Sequence, residues 1–98
     1  MTLEARILQA RIELEAAPKD EHDVKSVLLA RHGEYEVRLV ESAHDFPAGT
    51  FDFWFELFDH RRKISVDSGG ANDLERAVAI AETLVANAEE LSKNNTMG

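Results

Sequence analysis

The stretch Phe51–Asp59 constrains this chain more than any other. Successive side chains of a strand point to opposite faces. Phe51, Phe53, Phe55 and Leu57 therefore share one face, and Asp52, Trp54, Glu56 and Phe58 share the other. The first row demands a core. The second mixes large aromatics with carboxylates. Trp54 and Phe58, with Val40 joining them, suggest a contact surface on a sheet face that the chain's own helices leave uncovered.

A strand this apolar needs neighbours. Upstream, Glu34–Ser42 alternates Tyr35, Val37 and Leu39 with Glu34, Glu36 and Arg38, the pattern of a half-buried strand. Val24–Arg31 precedes it, with His32-Gly33 as the turn between them, because Gly supplies the positive φ that a tight hairpin asks for. Val24, Val27, Leu28 and Arg31 also suit a short helix ending at Gly33; the strand is preferred because it pairs with the next one. Downstream, His60-Arg61-Arg62 turns the chain, and Lys63–Asp67 returns with Ile64 and Val66 inward. Ser42–Thr50, containing His44, Pro47 and Gly49, reads as a loop.

Two helices flank these strands. Residues 2–17 carry Leu3, Ile7, Ala10, Leu14 and Ala17 on one stripe, with Thr2 as N-cap and Pro18 as the stop. Leu8 and Ile12 fall on the opposite side, a second apolar face that asks for a groove or a second chain. Ser68-Gly69-Gly70-Ala71 breaks the sheet, and Asn72 with Glu75 opens a helix over 72–92. Residues 93–98 read as a frayed tail. Residues 1–98 thus form a single α+β domain of order α-β-β-β-β-α, with strands at about 24–31, 34–42, 50–59 and 63–67. The expected architecture is an antiparallel meander with both helices on one face.

Composition bounds the function. The chain has no cysteine, which removes disulfides, thiolate metal sites and cysteine nucleophiles. No apolar run approaches the ~18–20 residues of a membrane span, and the start lacks a signal-peptide pattern; the expected location is cytoplasmic. A net charge of −8 disfavours nucleic acid and anionic membranes, which reward clustered Lys and Arg.

In a four-strand meander the first and third turns lie at the same end of the sheet. Arg31 and His32 then approach His60, Arg61 and Arg62, a basic end suited to a small anionic ligand or an acidic partner segment. The plainer reading is that turn charges are solvated and deter edge pairing. His32, His60 and Asp59 supply too few preorganised ligands for a metal. The Asp67–Asp73 glycine turn lacks a phosphate-loop pattern and carries acids of its own. The nineteen carboxylates form neighbours by chance without a partner to shift them, and no Ser, His and acid fall in a triad setting. No catalytic residue and no cofactor site is expected.

Val27–Leu39 and Phe53–Gly70 resemble segments of a family of small, uncharacterised bacterial proteins of about this length, which implies no activity and transfers no functional residue. Ser68–Ala77 is loosely similar to the glycine turn and acidic, Ala-rich helix of HicB-type antitoxin domains. The element order also resembles that of double-stranded RNA-binding domains, but Asp73, Glu75 and the single Arg76 stand where those domains look Lys-rich. The expectation is a non-enzymatic binding or regulatory module acting through protein–protein contact and self-associating as a homodimer. Its interface would be Trp54, Phe58 and Val40 on the sheet, or Leu8 and Ile12 on the first helix. The alternative is an anion- or metabolite-binding domain using the basic turn end.

Overall fold

The computed structural model describes residues 2–21, 23–41 and 50–96, without the side chains of residues 95 and 96. The elements are α1 (Leu3–Ala16), β1 (Ser26–His32), β2 (Tyr35–Val40), β3 (Phe53–Asp59), β4 (Ile64–Ala71) and α2 (Leu74–Thr96). The four strands pair antiparallel in the order β1-β2-β3-β4. This is the α-β-β-β-β-α meander that the alternation predicts, with both helices contributing to one core against one face of the sheet.

That core follows from periodicity. Tyr35, Val37 and Leu39 of β2 and Phe53, Phe55 and Leu57 of β3 are buried on the helix side. Ile7 and Ala10 of α1 meet them, as do Ala77, Ala81, Leu84 and Ala88 of α2. Three alanines in that last set let α2 approach the sheet closely, and Gly69 answers them from β4. A Cβ at Gly69 would lie 2.8 Å from Ile80 Cγ2. Thr2 caps α1 as expected, its Oγ1 accepting from Ala5 N at 3.1 Å.

The structure departs from the sequence reading at several places. Residues 24–31 form the strand preferred over a short helix, but its bounds shift to Ser26–His32 and a bulge falls between Leu28 and Ala30. The first hairpin turn falls on Gly33-Glu34, one residue later than expected, with Gly33 at φ 59°. Strand β4 does not stop at Asp67 but continues through Ser68-Gly69-Gly70 to Ala71. Its glycines serve close approach inside the sheet rather than a turn away from it. Phe51 leaves the inner row and packs on Trp54, with ring centroids 5.2 Å apart. Ile64, expected inward, is 45% exposed at the sheet's edge.

At the start of α2 the cap is Asp73, whose Oδ1 accepts from Arg76 N at 2.8 Å; Asn72 Oδ1 instead accepts from Asp52 N at 2.9 Å, tying α2's approach to the start of β3. The helix runs on to Thr96, so most of the expected frayed tail is helical. His22 and the loop residues 42–49, His44 among them, lie outside the described residues.

Candidate functional site: the outer face of the sheet

Cross-strand partners share a face, so the register assembles the side of the sheet away from the helices. Ser26, Val40, Trp54 and Gly70 form its first row; Leu28, Arg38, Glu56 and Ser68 its second; Arg31, Glu36, Phe58 and Ser65 its third. The segment preceding β1 lines one side of this face and makes it concave. A hollow of about 490 Å³ runs along it, walled by Asp20, Glu21 and Val24 near the start of β1 and floored by Val40, Arg38, Glu56 and Phe58. His60 and Lys63 close the other end.

The floor is organised by a buried carboxylate. Glu36 is only 4% exposed, and burying a charge without partners is costly. It has two. Arg38 Nη2 donates to Glu36 Oε1 at 2.8 Å, and His60 Nε2 contacts the same oxygen. Both partners pack on Phe58: the Arg38 guanidinium sits 5.4 Å from the ring centroid and the His60 ring meets it edge-on. Next to them Trp54 donates from Nε1 to Glu56 Oε2 at 3.1 Å. Gly70 leaves the space that the Phe51 and Trp54 rings fill, since a Cβ there would come within 2.7 Å of both. The aromatic and ionic side chains of this face are therefore held in place before any partner arrives.

Of the residues expected at an interface, Trp54, Phe58 and Val40 lie on this face, although Val40 is 7% exposed and lies in the floor of the hollow. Leu8 and Ile12 are 45% and 74% exposed on a helix that packs against the opposite side of the sheet. The two surfaces are separate. The two hairpin turns do meet, with His60 N donating to Glu34 O at 2.8 Å. Yet Arg31, His32, His60, Arg61 and Arg62 do not converge on one point. Arg31 Nε donates to Gly33 O, His32 pairs with Tyr35 on the helix side, and His60 turns to Glu36. Arg62 Nε donates to Asp59 Oδ2 at 2.7 Å, and Arg61 reaches Asp59 through its backbone N. Glu36, Arg38 and Glu56 escaped the sequence reading as site residues, whereas Lys63 was expected beside the basic turn end. The signal was parity: Glu36 and Arg38 alternate with the core residues of their strand as Trp54 and Phe58 do in theirs.

Asp59 itself is 2% exposed and fastens the second turn. Its carboxyl is held below the usual aspartate range by the Arg62 side-chain hydrogen bond, reinforced by the Arg62 and Arg61 backbone N–H groups and opposed by burial. A lowered pKa in the folded state means that the unfolded chain takes up the proton first. The stabilisation is thus fully present above the unfolded value of about 3.9 and is lost as pH falls through the folded one. The stability difference between wild type and Asp59→Asn, from urea midpoints, is expected to be constant above about pH 5 and to shrink below about pH 4. A difference independent of pH would show that the Arg62 contact contributes nothing.

A second, shallower hollow of about 360 Å³ lies between β4 and α2, lined by Gly69, Ile80 and Thr83, with Asp67 its one charged residue. Among the described residues no group of three or more His, Asp or Glu side chains is arranged to hold a metal ion, and no helix is long and apolar enough to cross a membrane. Comparison with family models, curated proteins and solved structures gives no match.

Proposed function

We propose that this chain is a non-enzymatic, cytoplasmic binding or regulatory module that meets a protein partner through the outer face of its sheet. The observation that carries this reading is a preorganised, concave sheet face that neither helix covers, with Trp54 and Phe58 half-buried on it beside fixed charges. Aromatics and Arg next to a hollow are the residue types that dominate protein contacts. The exposed Leu8 and Ile12 offer a lesser surface, because they stand on a single helix away from the ionic and aromatic groups of this face.

A photo-crosslinking phenylalanine analogue at position 58 tests the proposal, with the same analogue at the exposed Glu82 of α2 as control. Irradiation in an extract of the source cell is expected to yield a discrete protein adduct from position 58 and none from position 82. Equal yields, or none from position 58, would overturn the contact reading.

A second reading, a site for a small anionic metabolite, is supported by Arg38 and Lys63 lining the hollow. Lys63 makes no ion pair with another described residue. Stabilisation by phosphate or a dicarboxylate that Lys63→Ala abolishes would favour it.

A further inference from the structure

We infer that the occupant of the outer face is a second copy of the same chain, docked face to face about a two-fold axis that sets the acidic end of one sheet over the basic end of the other. The inference rests on the reading of this face as a protein-contact surface and adds the partner and its orientation.

A two-fold contact uses one patch twice, so residue i of one copy meets residue j of the other and j meets i. Such a patch must be self-complementary, and this one is. Asp20 and Glu21 stand at the end of the hollow where β1 begins; Lys63 and His60 stand at the opposite end, with Arg31 in the row beside Glu36 and Phe58. Val40 and Phe58 lie between the two ends. A two-fold axis along the middle row carries each acidic end onto the partner's basic end, while Arg38 and Glu56, on the axis, keep their hydrogen bonds to Glu36 and Trp54 of their own copy. An axis along the strands would oppose like charges at both ends.

The charge of the helix layer makes it a poorer surface for self-association. Each copy carries a net charge of −8, so association needs a face where the signs balance. The helix layer does not provide one: α1 and α2 together hold seven Glu against four Arg or Lys. Four strands ~4.8 Å apart and ~20 Å long span roughly 400 Å² of face, about half of a standard interface per partner. A contact of this size belongs with the small, transient interfaces.

Sedimentation equilibrium from about 1 µM to about 1 mM, at physiological salt to screen the net repulsion, tests it on three samples. Wild type is expected to pass from monomer to dimer mass, with the emission of Trp54, the protein's one tryptophan, shifting along the same curve. Asp20→Asn/Glu21→Lys makes both ends basic, and Asn keeps the oxygen that accepts from Val24 N. Arg31→Glu/Lys63→Asp makes both ends acidic, and Asp tolerates the φ of 58° at position 63. Each variant alone is expected to lose roughly 10–100-fold in self-association while keeping its thermal midpoint, and the 1:1 mixture to recover a dimer as tight as wild type. A monomeric wild type, a dimer indifferent to both variants, or a mixture that stays monomeric would each overturn the second-copy inference. A cross-link from position 58 to a different protein would then leave the contact reading standing by itself.

Discussion

Phe55→Ala is expected to lower the unfolding free energy by about 3–5 kcal/mol, the usual cost of emptying a buried aromatic site. That is a large part of the roughly 5–15 kcal/mol that holds a domain together. Phe55 is fully buried and stacks beside Phe53, with ring centroids 6.5 Å apart. Its cross-strand partners are Leu39 on one side and Gly69 on the other. Glycine has no side chain to relax into the gap, and the backbone of Gly69 is already pressed against Ile80. The cavity therefore stays open and the cost falls at the upper end of the range. Urea unfolding at unchanged m-value measures it. Ile12→Ala, at a residue 74% exposed, is the contrast and should stay within about 0.5 kcal/mol of wild type. Comparable losses for the two would mean that the core is not where the alternation puts it.

The second large effect concerns the ionic floor of the outer face. Arg38→Met leaves Glu36 buried with His60 as its remaining partner and is expected to cost about 1–3 kcal/mol, the range for stranding a buried charged group whose surroundings are partly solvated. Arg38 retains 29% exposure of its side chain, so water softens the penalty below that of a fully buried pair. Glu36→Leu/Arg38→Met is expected to recover most of the loss, because an apolar pair needs no hydrogen-bond partners. The double variant also separates stability from recognition: it should fold well and still bind its partner more weakly. Should Arg38→Met prove as stable as wild type, the Glu36 contacts would have no energetic role.

Element order and core are legible in the sequence because they rest on local rules. A period of two marks Tyr35–Leu39 and Phe53–Leu57 as strands; a period near 3.6 marks Leu3–Leu14 and Leu74–Leu91 as helices. The departures arise where two residues compete for one local role. Asn72 and Asp73 are both good caps, and the tether from Asn72 to the Asp52 backbone decides for Asp73. Gly69 and Gly70 read as a break because glycine weakens strands, yet α2 and the Phe51–Trp54 pair need the space that their missing side chains leave. The candidate site is legible only as the uncovered aromatics Trp54 and Phe58. Its charged residues come from Asp20 to Lys63 and carry no common spacing.

By itself, then, the sequence determined a four-strand, two-helix domain with one apolar face turned inward and two aromatics turned out, since alternation and helical period act over a few residues. Only tertiary structure decided that Glu36 is buried beneath Arg38 and His60, and that acidic and basic groups occupy opposite ends of one hollow. Those placements depend on strand register, on the bulge between Leu28 and Ala30 and the register shift between Leu57 and Phe58 against β4, and on the segment before β1 walling the hollow. All three are set by contacts between residues far apart in the chain, which no local pattern encodes.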